Sequence, residues 1–388
     1  MPDGREEIRV EVISRIADIA ADQWDACAGS ANPFVSHAFL NALEESRSVC
    51  DRTGWTPQHL VVRGLDGNLD ACMPLYLKTH SNGEYVFDWG WADAYERAGG
   101  AYYPKLQCAV PFTPATGPRL LMRDGAPANS ADILIAASVQ LAETNGISSV
   151  HVTFPTKAEW EKLGARGFLM REGKQYHWEN RGYATFDDFL GELSSRKRKQ
   201  IRKERREVAD AGVTLRRISG ADITEAHWDA FYQYYRSTID QRRWGRAYLN
   251  RAFFSHLGAA MADMALLVFA EYEGQYIGGA INLIGEDTLF GRNWGCTRDV
   301  KFLHFEACYY QAIDFAIERK LKWVEAGAQG EHKIQRGYLP RETYSAHWIA
   351  DERFREAVAR FLAQERRQTE QEIEMLMEYS PYRKVGED

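Results

Sequence analysis

Two stretches of the chain alternate apolar and polar positions in the same order. Residues 67–89 (GNLDACMPLYLKTHSNGEYVFDW) and 274–294 (GQYIGGAINLIGEDTLFGRNW) each open on glycine, alternate as a strand, cross a polar turn and resume alternation up to a tryptophan followed by glycine. That period of two predicts a hairpin in each, the first two residues longer. Downstream, residues 139–152 (VQLAETNGISSVHV) and 313–326 (IDFAIERKLKWVEA) both read as a helix, a one-turn connection and a buried strand. Gly167-Phe168-Leu169 and His177-Trp178 return as Gly337-Tyr338-Leu339 and His347-Trp348, at a constant offset of 170. Glycine and tryptophan are common, so the shared order and offset carry the weight, and they predict one folding unit used twice. Each unit reads as strand, helix, antiparallel strands, crossover helix, strand, helix, strand. That succession predicts an α/β fold with mixed sheets and helices on both faces.

Trp89 and Gly167 are 78 residues apart and Trp294 and Gly337 only 43, so the first copy carries about 35 more. They include the Gly/Pro-rich residues 99–127, a long loop expected to act as a lid or substrate rim. The copies join near residues 179–184. Thr185-Phe-Asp-Asp188 is a capping-box pattern that should start a helix, which Gly212 is placed to end. Residues 352–379 have helical composition and many charges, as expected of a solvated helix packed on the second domain or of a dimerisation element. The organisation expected is therefore a first domain over 1–180, a second over 181–350 opening on a basic helix, and a helical tail over 351–388.

At 388 residues, 45% hydrophobic and 27% charged, the chain can bury ordinary cores, and disordered or fibrous classes are excluded. Its net charge is −7, so contact with nucleic acid or another polyanion must come from a local basic patch. Residues 194–206 hold eight basic side chains, and all but Lys197 fall on one half of a helical wheel, opposite Leu190, Ile201 and Val208. Arg196, Arg198, Lys199, Arg202 and Lys203 are thus the expected anion-binding set, for tRNA phosphates, a nucleotide-linked precursor or a carrier phosphate; the alternative is a solvated face. Six dispersed cysteines without a CxxC pair fit reduced thiols and no metal site. The charged start of the chain lacks a signal-peptide core, and the most apolar stretch, residues 264–270, is far shorter than the roughly 20 residues of a membrane span. A soluble, cytoplasmic protein without a transmembrane segment is expected. Neither GxSxG nor a Walker loop is present, which argues against a serine hydrolase and an NTPase.

With its duplication, the basic segment SSRKRKQIRKERREVADAGV, the strand through FGRNWG and the blocks LHFEACYYQ and EAGAQGEHKIQRGYLP, the chain resembles the GNAT superfamily of acyltransferases. More narrowly it is similar to the Fem-like branch, including bacterial predicted N-acyltransferases described as peptidoglycan biosynthesis or recognition proteins. The resemblance implies tandem GNAT-like domains and transfer of an acyl or aminoacyl group to an amine, such as that of a peptidoglycan precursor. It implies acyl-CoA or aminoacyl-tRNA as co-substrate and no tightly bound cofactor. Two departures stand out. The GNAT pyrophosphate loop, R/Q-x-x-G-x-G/A, corresponds here to residues 297–304 (TRDVKFLH), which contain no glycine and so weaken an acetyl-CoA assignment. The Fem-type F-K-x-G-F-G element corresponds to residues 332–338 (HKIQRGY), where either Lys333 or Gln335 takes the lysine's place.

Acylating an amine requires removing a proton from an ammonium of pKa about 10 and stabilising a tetrahedral oxyanion. Polar residues just past a buried strand suit that task, and residues 321–328 should be such a strand, running into the glycine-flanked turn 329–333. Glu331, His332 and Lys333 are the catalytic candidates. At the offset of 170, Glu331 and Arg336 recur as Glu161 and Arg166, whereas His332 and Lys333 face Lys162 and Leu163 and so gain weight for chemistry. Arg292, Asn293 and Trp294 on the strand bordering the cleft, His304 and Glu306 at the crossover helix, and Arg336 are the substrate-binding candidates. The aromatic run 231–235 and residues 240–244 (DQRRW) either line a channel or belong to core. Two other readings stay open. One is a non-catalytic module recognising cell-wall peptide or a protein; the other is an acetyl-CoA-dependent acetyltransferase of a small amine.

Overall fold

A computed structural model describes residues 9–240, 247–327 and 330–383. The chain divides into two compact units, Met1–Gly173 with Thr343–Arg367 and Lys174–Glu342 with Gln368–Asp388.

The first unit holds two sheets. One is antiparallel, in the order Val10–Ile13, His59–Arg63, Leu69–Met73, Leu121–Met122. The other runs Trp55–Pro57, Leu75–Lys78, Lys105–Cys108, Ser149–Thr153 and then residues 345–349, with one parallel step between Lys105–Cys108 and Ser149–Thr153. The crossover helix Ser130–Thr144 supplies that parallel step and buries Leu134 and Ile135 against Leu60, Val62 and Val150. In the second unit a single sheet runs Val213–Ser219, Ala265–Tyr272, Gln275–Ile284, Thr288–Cys296, Trp323–Glu325 and residues 177–179. Its one parallel step joins Thr288–Cys296 to Trp323–Glu325 through a crossover helix at 303–318. The turns before the last strands match as well: Gly167 and Gly337 both sit in the left-handed region, at φ 85° and 90°, which only glycine adopts without strain. Each repeat's final strand pairs in the other repeat's sheet, His177-Trp178 beside Val324 and Glu325, His347-Trp348 beside Val150 and His151.

Several sequence expectations are corrected. The second strand of the first hairpin does not form: after Leu75–Lys78 the chain loops, and Trp89 opens the helix Trp89–Arg97. Glu84 and Asp88 turn inward to Lys105, at 2.7 and 2.5 Å, and these buried ion pairs hold residues 79–88 off the sheet. Thr185 does cap a helix, its hydroxyl accepting from the Asp188 amide, yet that helix ends at Glu192 and a second, Ser195–Asp210, precedes Gly212. The stretch 109–121 of the Gly/Pro-rich loop is core rather than lid. Arg119 is wholly buried, donating to the carbonyls of Ala115, Gly117, Pro118 and Thr153, and so packs the loop beside the parallel step of the first unit. The tail forms one helix, Glu352–Glu378, whose Val358 and Leu362 pack on Trp91 and Tyr102 of the first unit, while its Leu376 lies in the core of the second, as expected.

Candidate active site

In the second unit the two parallel strands are paired only from Thr288/Trp323 to Phe290/Glu325. Beyond that point they part. Thr288–Cys296 continues along its antiparallel neighbour, while the chain after Glu325 stays with the strand beside it, the Ala326 amide donating to the Tyr176 carbonyl at 3.2 Å. A bulge lies at the parting: Ile281 faces Asn293 and Asn282 faces Gly291, so Arg292 is the extra residue of the bulged strand. The Thr297 amide bonds Ile277, so by antiparallel alternation the peptide groups of Trp294 and Cys296 point to the vacated edge. Their carbonyls accept from Thr238 (2.8 Å) and Ser237 (3.1 Å) of the helix Glu225–Asp240. That helix crosses so closely that a Cβ on Gly295 would lie 1.8 Å from the Tyr234 carbonyl oxygen, which is why glycine stands there.

Aromatic rings bridge from this edge to the turn that follows the shorter strand. Trp294 contacts His304 (centroids 5.9 Å), His304 contacts Tyr309 (5.2 Å) and His332 (6.2 Å), and the Tyr309 hydroxyl shares a 3.0 Å hydrogen bond with His332 Nε2. His304 and Tyr309 lie on the crossover helix, which makes a π turn over Glu306–Tyr310, a feature frequent at functional sites. His332 lies on the 3₁₀ turn Glu331–Arg336, between Gly330 and Gly337, and is exposed. The loop before the crossover helix has no glycine, and Phe302 takes the left-handed conformation at φ 66° in its place.

The charged candidates separate by environment. Lys333 is buried; its Nζ donates to the carbonyls of Ala326 (2.6 Å) and Gly327 (3.2 Å), and burial pulls its pKa down to about 8. Burial, then the cations of Arg336 and Lys333, hold His332 below the ordinary imidazole value. His304 falls to about 4, first from burial and then from His332, Lys333 and Arg336. Both imidazoles are therefore neutral at pH 7, as a proton acceptor must be. Burial raises the Tyr309 hydroxyl, which stays protonated. Glu331 is exposed at the head of the turn, near enough to Tyr176 to raise its pKa after burial. Arg292, Asn293 and Trp294 are half-buried where the strands part.

Two candidates are tied into buried ion pairs. Glu306 receives both Arg205 Nε and Nη2 at 3.1 Å and Gln311 at 2.8 Å, so its carboxylate is saturated by neighbours. Arg336 donates through Nη2 to both carboxylate oxygens of Glu204, at 2.9 and 3.0 Å, and through Nη1 to the His332 carbonyl at 2.8 Å. On the helix Ser195–Asp210, Arg196, Lys199, Arg202 and Lys203 are exposed and Arg198 is half-buried, while Ile201, Glu204 and Val208 face inward. Arg202 pairs with Asp187 (2.7 Å) and Lys203 with Glu207 (3.6 Å). Arg205, placed by the helical wheel on the cationic face, instead turns in to Glu306 and Asp314. The run 231–235 is mostly core, with Phe231, Tyr234 and Tyr235 buried; residues 241–244 lie outside the described residues, as does Gln329. Sequence reasoning passed over Glu204, Tyr309 and Tyr310. The spacing of Glu204 from Ile201 and Val208, three and four residues, was the available signal for an inward carboxylate. Among the described residues no His, Cys, Asp or Glu cluster is built to hold a metal ion, and no helix is long and apolar enough to cross a membrane.

The family model FemAB-like, described as peptidoglycan biosynthesis/recognition, matches residues 15–384. The chain belongs to that family. Three solved structures share its fold. FemX matches at 12% identity and a TM-score of 0.55, over 90% of this chain and 100% of its own. The C-terminal domain of a putative lysylphosphatidylglycerol synthetase from Agrobacterium fabrum matches at 9% and 0.53, over 89% and 95%. L-PGS from Bacillus licheniformis matches at 10% and 0.52, over 86% and 98%. No curated protein sequence matches. The mixed α/β class expected from the sequence is the fold of this FemAB-like protein, shared with FemX.

Proposed function

We propose that this FemAB-like protein is an N-acyltransferase, passing an acyl or aminoacyl group to an amine of a peptidoglycan precursor at the parted strands of its second unit. The observation that carries this reading is the vacated edge: two peptide groups, at Trp294 and Cys296, turned to the parting of the strands, and ring contacts that run from Trp294 through His304 to Tyr309 and neutral His332. The amide N–H groups on that edge suit a developing oxyanion, because fixed donors need no reorganisation as charge forms. His332 takes the ammonium's proton; its depressed pKa keeps it unprotonated at neutral pH, and Tyr309 fixes its ring. The amine then attacks the acyl carbonyl directly, and the donor's oxygen or sulfur leaves with a proton. Lys333 acts from behind, its ammonium holding the carbonyls of Ala326 and Gly327. In the first unit the loop carrying Arg119 packs beside the parallel step, which favours a supporting or acceptor-binding role there.

The donor is an aminoacyl-tRNA or an acyl thioester, with no cofactor retained between turnovers. The exposed cations of the helix Ser195–Asp210 suit a polyanionic donor, and the glycine-free loop before the crossover helix disfavours acetyl-CoA. The family description also includes recognition. Offering the purified protein charged tRNAs and acyl-CoAs with peptidoglycan precursors, and reading the products by mass spectrometry, separates the two: transfer supports the enzyme, and precursor binding without any transfer supports recognition.

A further inference from the structure

Arg336 has a counterpart in the first repeat, and the two have opposite surroundings. Arg166 is exposed, paired at 3.0 Å with Asp132 on the surface. Arg336 is 5% exposed and Glu204 3%. The Arg336 guanidinium lies over Phe305, 3.4 Å from the ring centre, and its Nε, buried, finds no acceptor among the described residues. Glu204 is satisfied from three sides: both oxygens by Arg336, one by Gln200 at 2.9 Å and one by the Tyr310 hydroxyl. Taking two charges out of water costs more than packing apolar residues of the same volume, so a buried pair of this kind is poor value for stability. It does fix geometry. A 3₁₀ turn bounded by two glycines has little rigidity of its own, and Arg336 ties the His332 carbonyl of that turn to the inward face of the cationic helix.

We infer that Arg336 and Glu204 are positioning residues, which together hold the His332 turn on the cationic helix and set the charge that His332 feels. As positioning residues they rest on the transferase reading above; the charge they impose on His332 is measurable without any acyl donor. The titratable and cationic groups facing His332 are His304 and Tyr309 from the crossover helix, and Lys333 and Arg336 from its own turn, with the Glu204 carboxylate behind Arg336. Removing the cation leaves the carboxylate, and removing the carboxylate leaves the cation, so the two changes act on His332 with opposite sign.

The test uses diethyl pyrocarbonate, which acylates neutral imidazole, and follows His332 by peptide mass spectrometry across pH in the full-length protein. In Arg336→Met the midpoint of reactivity should rise, and in Glu204→Gln it should fall, each by about half a pH unit or more. Arg336→Lys, which keeps the charge and loses the fork, should leave the midpoint near that of the parent and provides the comparison if Arg336→Met does not fold. With whichever donor the parent accepts, Arg336→Lys and Glu204→Gln should lower kcat with KM unchanged. Midpoints that move together towards the free-imidazole value, or stay fixed while the melting temperature drops, would overturn the inference and leave the pair a structural feature. Opposed midpoint shifts with no transfer from any donor would keep the electrostatic link and remove the transferase reading instead.

Discussion

His332 and Lys333 are neighbours in sequence and opposites in environment, one exposed and one buried. With Nε2 on Tyr309 and a depressed pKa, His332 is placed to carry a proton, so His332→Gln should lower acyl transfer about 100-fold or more with substrate affinity retained. A steady-state comparison of kcat and KM checks it. Lys333 is held at about 8, below the 10.5 of a free lysine, because burial penalises its charge. A lowered folded-state pKa favours the native state fully above pH 10.5, and the contribution is lost as pH falls through about 8, where the unfolded chain binds more protons. Lys333→Met should therefore abolish the rise in stability that this lysine gives between pH 8 and 10.5, worth about 3 kcal/mol at most, as urea unfolding at several pH values would show. That His332 and Lys333 differ between the repeats was legible in the sequence. Their surroundings were not, because Glu204 read as one more charge in a charged helix, and its partner lies 132 residues away.

Capping and alternation decide how well single elements are read. Thr185 and Asp188 form both hydrogen bonds of a capping box, so the start of that helix was visible in four residues. Thr185→Ala should cost about 1 kcal/mol in chemical denaturation. The break at Leu193 is marked in the sequence only by Gly191, a poor helix former, and by Ser194-Ser195, of a type that favours helix starts. Leu193 itself is wholly buried and bridges to Tyr382, a contact supplied by the far end of the chain. Residues 275–284 and 288–296 alternate and form their hairpin; residues 84–88, expected as the matching second strand of the first hairpin, lie in a loop. The difference is Lys78 and Lys105, directly opposed on adjacent strands and buried, which draw Glu84 and Asp88 inward as counter-charges. On the helix Ser195–Asp210, replacing the exposed Arg196, Lys199, Arg202 and Lys203 by glutamine should weaken tRNA binding several-fold or more. It should also flatten the dependence of affinity on salt. A filter-binding salt titration reads both.

At the level of the whole molecule, duplication made the architecture legible: the crossover helices, the parallel steps and the paired Gly167 and Gly337 follow the order of the repeat. The exchange of final strands was not, because alternation says that a segment is a strand and not which sheet receives it. One consequence is a buried pair of histidines facing each other across adjacent strands, His151 Nδ1 to His347 Nδ1 at 2.7 Å. Burial lowers both pKa values, that of His151 to about 3, so each must stay neutral in the native state. Their contribution to stability is complete above pH 6.5 and lost as pH falls towards 3, and melting temperatures taken from pH 7 to 4 should drop accordingly.

The reading of the second unit as the reactive one is tested most directly by incubating the purified protein with charged tRNAs or acyl-CoAs and a peptidoglycan precursor, and weighing the precursor afterwards. A mass increase equal to the donated acyl group, present in the parent and lost in His332→Gln, is expected. An unchanged precursor with every donor, or a modification that survives in His332→Gln undiminished, would contradict it.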